Sequence, residues 1–327
     1  MRVLHGLEGL SQLPGQCVLT IGNLDGVHLG HRALLRTARD IADGGGISGM
    51  AVVTFEPHPL TVLRPQQAPP RLTPPAIKQP LIESAGADNL VILPPEPGVL
   101  GLTAERFWTI LRDEVKAAHL VEGSAFRFGK GAAGNVQKLR EWARDSPVKL
   151  TVVTSVQVPL MDLQLAPVSS SLIRFLLGVG RVRDAAICLG RPYALRGRVT
   201  KGAARGRQLG FPTANLDCGD QMIPAEAVYA GRCEIAGILY PAAISIGSNP
   251  TFGDDGLQVE AYLVGFAGDL YGQTISLELL DWLREQRKFA GVKLLVAQIE
   301  RDVELAKALV MSDPSRPVAS EDYAGAV

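Results

Sequence analysis

Residues 18–31 read VLTIGNLDGVHLGH: a short apolar run, then a glycine-spaced turn carrying two histidines three residues apart. An apolar run that stops at glycine and is followed at once by an amphipathic helical pattern is the opening of a βαβ unit. The helix is supplied by HRALLRTARDIA at 31–42, where Leu34, Leu35, Ala38 and Ile41 recur at i, i+3, i+4 spacing and Arg32, Arg36 and Arg39 are expected to face outward. The loop delivers the chain to a helix N-terminus, where unpaired N–H groups and the macrodipole favour an anion. Gly22, Gly26 and Gly30 allow a tight turn and close approach to a ligand, and His28 and His31 are spaced to present both imidazoles to one phosphate. Two histidines on phosphoryl oxygens stabilise the charge that develops when a nucleophile attacks an α-phosphate. Taken alone, the same spacing is satisfied by one histidine capping the helix and the other lying exposed.

Outward from this stretch, β-branched runs alternate with helical patterns as far as about residue 155, which predicts a parallel sheet. The segment RPQQAPPRLTPPAIKQP at 64–80 is too rich in proline for a central strand or a continued helix and is expected to form a surface excursion, a candidate lid. Two short helical stretches follow residue 168. From RPYALRG at 191–197 to about 281, short strands are separated by Gly, Pro and Asp turns with no intervening helix, which predicts a small antiparallel barrel. A last helix carries Leu294, Leu295, Ile299, Val303 and Ala306 at helical spacing, and a polar tail begins at about 311. The expected fold is a Rossmann-like α/β domain over 1–185 and a small antiparallel β-barrel with a C-terminal helix over 186–327.

With 33 basic and 33 acidic residues among 327, the chain has no global field to attract nucleic acid or an anionic membrane, so any polyanion must be small and held locally. Cys17, Cys188, Cys218 and Cys233 have no metal spacing and are expected to be reduced, structural thiols. No stretch approaches the ~20 apolar residues of a membrane span, and the N-terminus lacks the apolar core of a signal peptide. A soluble, uncleaved, cytoplasmic protein is expected.

A second constellation lies at 197–216, GRVTKGAARGRQLGFPTANL. It lacks the GxxxxGK[ST] pattern, but a basic loop spaced by Gly202, Gly206 and Gly210, with Arg207 between, is suited to fold over a phosphate chain. Thr213 and Asn215 fall on one face of an extended segment and offer two neutral oxygen ligands suited to Mg²⁺ beside nucleotide phosphates. Glu260, on the strand face opposite Val259, Ala261 and Leu263, is a surface carboxylate unless it points to the Thr213 and Asn215 pair, where it would take a proton from an attacking hydroxyl. GKGAAG at 129–134 matches GxGxxG without the strand, helix and acidic partner of a dinucleotide fingerprint, and is set aside.

HxGH opening a helix after GNxDG resembles the nucleotidyltransferase signature shared with class I aminoacyl-tRNA synthetases, and VSSSLIR at 168–174 resembles its second phosphate-binding element. With TFEPHP at 54–59, FRFGKG at 126–131, LGRPY at 189–193, LGFPTANL, NPTF at 249–252, VEAYL, DLYG at 269–272 and LREQRKF at 283–289 in that order, the chain resembles the prokaryotic bifunctional riboflavin kinase/FAD synthetase family from about residue 17 to 305. The resemblance implies a nucleotidyltransferase domain that moves AMP from ATP onto FMN, giving FAD and pyrophosphate, and a kinase barrel that moves the γ-phosphate of ATP onto riboflavin. It implies that Gly22, Asp25, His28, Gly30, His31, Ser169, Ser170 and Arg174 hold ATP in the first site, with flavin against Pro57, His58, Pro59 and Phe128. In the second it implies Gly202, Gly206, Arg207 and Gly210 around ATP, Thr213 and Asn215 on Mg²⁺ and ATP, Arg284 at the flavin and Glu260 as the base. A monomer or weak homo-oligomer is expected, and the charge balance and the lack of a long apolar stretch predict that it binds neither nucleic acid nor membrane. A kinase with a degenerate first domain and a flavin- or nucleotide-binding regulator without turnover are the competing readings.

The departures are local. Leu24 replaces the family's usual Phe, Ala227 a Gly, Tyr262 a His and Gly265 an Asp, while Ala125 and Ser124 stand where the family commonly has Asp or Asn and Glu. The absence of a polar flavin partner at 125 predicts FMN adenylylation that is retained but weakened. The substitution Ala125→Asp is therefore expected to lower the KM for FMN in FAD synthesis; an unchanged KM contradicts this.

Overall fold

The computed structural model describes residues 1–202, 206, 209–248 and 257–312. They form two compact units, Met1–Val158 with Leu165–Ser170, and Pro159–Gln164 with the chain from Ser171 on.

The first unit runs β1 (Arg2–His5), α1 (Gly6–Ser11), β2 (Val18–Ile21), α2 (Leu29–Ala42), β3 (Met50–Phe55), α3 (Leu60–Leu63), α4 (Pro75–Ser84), β4 (Asn89–Leu93), α5 (Pro97–Leu100), α6 (Ala104–Thr109), β5 (His119–Gly123), the small β6 (Arg127–Phe128) and β7 (Gly134–Asn135) pair, α7 (Val136–Arg144) and β8 (Lys149–Val153). The main sheet has the order β1-β4-β3-β2-β5-β8, with every pair parallel. Both faces are covered, which is why VLTI at 18–21 is buried throughout instead of alternating. Leu19, Ile21, Val53, Leu93 and Leu120 pack on one side with Leu10, Phe107, Trp108 and Leu111. Val18, Val52, Leu90, Ile92 and Val121 pack on the other with Leu35, Ala38 and Ile82. Strand succession turns from one side of β2 to the other between β4 and β5, so the carboxyl ends of β2 and β5 border the crevice where open α/β sheets bind ligands.

Three details differ from expectation. The proline-rich segment does continue as a helix: α4 starts at Pro75, where no N–H is needed, and contains Pro80. Arg39 does not simply face outward, because its guanidinium donates to Asp88 Oδ2 at 2.9 Å and to the Gly86 carbonyl at 3.1 Å, fastening α2 to the turn before β4. The chain also adds the edge strand β1, paired with β4 from Arg2 opposite Asn89 to His5 opposite Ile92.

β9 (Gln157–Pro159) and β10 (Leu165–Pro167) form a short pair. α8 (Ser170–Gly178) begins on the last residue of the first unit, and the second unit continues with the rest of α8, α9 (Val182–Leu189), β11 (Tyr193–Thr200), β12 (Ala214–Asp217), β13 (Ala227–Ile235), β14 (Ile238–Ser248), β15 (Leu257–Leu263), β16 (Thr274–Arg284) and a C-terminal helix, Val292–Met311. The strands close into an antiparallel barrel in the order β11-β12-β15-β14-β13-β16, which leaves no unpaired edge. Leu195, Tyr229, Ile244, Ile246, Val259, Ala261, Leu277 and Leu279 are buried in this unit. At Gly231 a Cβ would strike the Glu278 carbonyl and come within 2.5 Å of Ile244 Cδ1, so β13 approaches β16 closely only because this residue has no side chain. The C-terminal helix buries Asp302, Val303, Ala306 and Val310, whereas Leu294 at its start is exposed.

All four cysteines are buried. Burial pushes the thiols of Cys17, Cys188 and Cys233 up to about 11 and that of Cys218 up to about 12, so little thiolate forms. The folded chain is expected to resist alkylation by iodoacetamide at mildly alkaline pH and to react at all four positions in denaturant. Rapid modification of any thiol in the native chain would contradict the packing.

Candidate active sites

The first site grows from the end of β2. His28 is the N-cap of α2, and its Nδ1 accepts from the His31 N–H at 3.3 Å. The two rings stack with centroids 3.6 Å apart and an interplanar angle of 18°. Gly30 makes this possible: a Cβ there would come within 3.1 Å of His28 Cε1. His31 Nδ1 is buried with no hydrogen-bond partner among the described residues. Burial, reinforced by His28 and Lys78, pushes the His31 pKa well below its ordinary value, so this ring offers a hydrogen bond and not a charge.

Asp25 is used differently from the expectation. Its buried carboxylate accepts from Leu72 N–H at 3.0 Å, from Thr73 N–H at 2.9 Å and from the Thr73 hydroxyl at 3.2 Å. Ser170 donates its hydroxyl to the Asp25 carbonyl at 2.8 Å. Both residues hold the loop together, because a buried turn must satisfy its backbone groups and side chains supply the partners. Ser169 is exposed beside Ser170, and Arg174 lies one turn along α8. Gly22 donates its N–H to the Val53 carbonyl at 3.0 Å.

Around this loop stand residues that the sequence reading missed. Lys78, buried at the start of α4, places its ammonium 3.0 Å from Glu56 Oε2 and 3.5 Å from the Asn23 carbonyl. Arg71 pairs with the other oxygen of Glu56 at 2.7 Å. The Asn23 amide meets His58 Nε2 at 3.0 Å, and His58 Nδ1 accepts from Leu60 N–H, so the TFEPHP turn is tied to the GNLDG loop. Pro57 and Pro59 flank this histidine, and Pro59 leads into α3. The lid expectation for 64–80 gives way to a tethered wall, since Asp25 and Glu56 both hold it. A signal was present in the sequence: RLT at 71–73 and the single lysine, Lys78, inside the proline-rich segment.

Phe128 is not open to a ligand. It is buried between Phe107, Phe126 and Trp142, and Gly134 lies directly over its ring, where a Cβ would come within 2.6 Å. Phe126, stacked on it at 5.4 Å, is the partly exposed aromatic of that pair. Ser124 and Ala125 form the exposed turn after β5.

The second site lies in the barrel. β12 pairs with β15 so that Asn215 faces Glu260 across the ladder, and the Thr213 hydroxyl donates to Glu260 Oε2 at 3.3 Å. Glu260 therefore does share the Thr213 and Asn215 face. Two cavities meet at Thr213. One of about 420 Å³ is lined by Val199, Pro212, Phe266, Leu270 and Tyr271, and one of about 700 Å³ by Glu260, Tyr262, Arg284, Phe289, Leu295 and Ile299. Gly202 and Gly206 border the pair: a Cβ at Gly202 would collide with the Asn215 amide, and one at Gly206 with the Phe211 carbonyl. Gly210 turns the chain into the Pro212–Asn215 segment with φ of +85°, a conformation suited to glycine. Arg207 lies outside the described residues, as does NPTF. Arg284 lines the larger cavity but spends its guanidinium on the buried Asp302, to whose Oδ2 it donates from Nη2 at 2.8 Å and from Nε at 3.0 Å.

Comparison with known proteins bears on both sites. A riboflavin kinase family model matches residues 189–310, and an FAD synthetase family model matches 10–171. The chain is 34% identical over 307 residues to the bifunctional riboflavin kinase/FMN adenylyltransferase of Escherichia coli (strain K12), covering 92% of this chain and 96% of that one. The chain belongs to the bifunctional riboflavin kinase/FMN adenylyltransferase family. A family member from Pseudomonas fluorescens is 35% identical over 318 residues, covering 97% and 100% of the two chains. A solved structure titled as a macrolide-efflux protein from Streptococcus pneumoniae matches this fold with a TM-score of 0.83 at 28% identity, covering 94% of this chain and 99% of that one. Among the described residues, no helix is long and apolar enough to cross a membrane.

Glu122 supplies a test of the first site's floor. β2 and β5 stop pairing after Leu19 and Leu120, and there the buried Glu122 Oε1 accepts from the Ile21 N–H at 2.9 Å. Burial pushes its carboxyl well above the usual range, so the folded state keeps a proton that the unfolded chain has released. Stability is then lost as pH rises from the ordinary carboxylate range toward the folded value. Melting temperatures of wild type and Glu122→Gln, compared across pH, are expected to shift in favour of Gln as pH increases. A difference independent of pH would contradict a protonated Glu122.

Proposed function

We propose that this chain phosphorylates riboflavin to FMN in the barrel unit and transfers AMP from ATP onto FMN in the parallel-sheet unit. The observation that carries the reading is that Thr213 lies at the junction of two cavities, one sized for each substrate of a two-substrate transfer, and bonds Glu260 of the larger one, which faces Asn215 across the ladder. In the larger, mostly apolar cavity the flavin ring lies near Phe289 and Leu295, with the ribityl chain toward Glu260. Arg284, held by Asp302, shapes this wall. ATP occupies the smaller cavity, with its phosphates toward Thr213 and the glycines at 202, 206 and 210, and the sequence assigns Arg207 to the same phosphates.

Glu260 takes the proton of the ribityl 5′-hydroxyl as its oxygen attacks the γ-phosphorus; the bond to the β,γ-bridging oxygen breaks and ADP leaves. Thr213 Oγ1 spends its proton on Glu260 and keeps lone pairs, and Asn215 adds an amide oxygen. Neutral oxygens beside a carboxylate fit Mg²⁺, which is held mainly by substrate phosphates and waters, and Thr213 and Asn215 would hold it. When bound, the ion neutralises charge on the phosphates.

In the parallel-sheet unit, an FMN phosphate oxygen attacks the α-phosphorus of ATP and pyrophosphate leaves. The neutral His31 ring and His28 donate to phosphoryl oxygens, Ser169 and Arg174 meet the remaining phosphates, and Asp25 and Ser170 keep the loop in place. His58, with Pro57 and Pro59, borders the flavin, and the partly exposed Phe126 replaces Phe128 as its aromatic neighbour. The functional division follows 1–185 and 186–327. The protein acts in the cytoplasm as a monomer or weak homo-oligomer on riboflavin, FMN and ATP, without nucleic acid or membrane. A second reading, a kinase with a weak adenylyltransferase, is favoured by Ala125 in the exposed turn after β5.

Removing the base and removing the histidines should separate the activities. Glu260→Gln is expected to slow FMN formation by about 10²–10⁴-fold while leaving FAD formation from supplied FMN intact. His28→Ala is expected to do the reverse. Kinase activity that survives Glu260→Gln would overturn the assignment of the base.

A further inference from the structure

Lys78 is the point at which three separate sequence motifs converge. Its ammonium contacts Asn23 of GNLDG and Glu56 of TFEPHP, and its charge acts on His31 of HLGH. The side chain is only 7% exposed. A lysine buried to this degree normally has a counter-ion of its own. Here Glu56 is shared, with Arg71 on one oxygen and Lys78 on the other. Beside this cation two buried polar atoms, His31 Nδ1 and Asn23 Oδ1, have no partner among the described residues. Buried polar groups are rarely left unpaired, and where a cluster of them surrounds a lysine at a helix N-terminus, an anion completes the set.

We propose that Lys78 is a phosphate-binding residue of the adenylyl-transfer site and that Glu56 is its positioning partner. The inference rests on the adenylyltransferase reading above. An ammonium has three donors, and the Asn23 carbonyl and Glu56 take two. The third is free to meet a phosphoryl oxygen. Glu56 holds the lysine through a short ion pair, Arg71 braces Glu56 from the far side, and Asp25 fastens residues 72 and 73 just before α4. Two phosphate sources fit this chemistry, the triphosphate of ATP and the 5′-phosphate of FMN. Burial, with smaller contributions from His28 and Lys78, keeps His31 uncharged, so that the ring donates without repelling the ammonium.

The test measures FAD formation by wild type, Lys78→Met, Lys78→Arg and Glu56→Gln, varying ATP at saturating FMN and then FMN at saturating ATP. Riboflavin phosphorylation by each variant serves as the check on folding. Lys78→Met removes the ammonium and its charge-assisted hydrogen bond, and is expected to raise one KM by about 10- to 100-fold, with Lys78→Arg recovering most of it and Glu56→Gln falling between. A rise confined to the KM for ATP identifies the triphosphate as the bound group; a rise confined to that for FMN identifies the flavin phosphate. Wild-type values of both for Lys78→Met would overturn the inference. Equal losses in Met and Arg with kcat lowered and both KM values unchanged would overturn it too, as a structural role. Wild type that makes no FAD from FMN and ATP would instead overturn the adenylyltransferase reading itself.

Discussion

A single buried carboxylate ties the first unit's site together. Asp25 sits in the turn after β2 and takes up the peptide N–H groups of Leu72 and Thr73, while its own carbonyl receives the Ser170 hydroxyl. A buried loop has polar backbone groups that water no longer serves, and each left unpaired costs about 1–3 kcal/mol. By satisfying them, Asp25 joins the phosphate turn to the proline-rich segment and to the start of α8. Arg71 and Lys78 are carried on that segment, so the charge around the histidines depends on a residue that need not touch a phosphate itself. Leu24 and Val27 in the same turn adopt φ of +48° and +40°, and their burial holds that strained backbone in place.

The barrel solves its problem with register. Pairing Asn215 with Glu260 across β12 and β15 places Thr213, two residues before, within reach of the carboxylate. A slip of one residue would turn Glu260 toward the core face of Val259 and Ala261 and bury an unpaired charge. The apolar face thus fixes the polar one, and closure of the barrel fixes both. Arg284 and Asp302 add a bidentate clamp between β16 and the C-terminal helix, which forms one wall of the larger cavity.

Much of this was legible in the sequence because it rests on local patterns. The run VLTI, the 3.6-residue spacing in α2 and the closely spaced strands from 193 on gave the layer order, and HLGH and PTAN marked both sites. What was not legible depends on tertiary partners. Nothing local distinguishes Asp25 as a loop fastener from Asp25 as a ligand, since its partners lie more than forty residues on. Phe128 has the chemistry of a flavin neighbour, and only the tertiary packing of Gly134 and Trp142 encloses it. Pro80 hid a helix because propensity is outweighed where Ile82 packs beneath the sheet.

The central claim is that one chain houses two consecutive ATP-dependent steps in two separate units. The most direct measurement incubates the wild-type chain with riboflavin, ATP and Mg²⁺ and separates riboflavin, FMN and FAD by chromatography over time. The account predicts that FMN appears first and FAD follows, with ADP and pyrophosphate as the respective by-products. FMN that accumulates without FAD, even when FMN is supplied directly, would contradict the claim for the first unit, and riboflavin left unchanged would contradict it for the barrel.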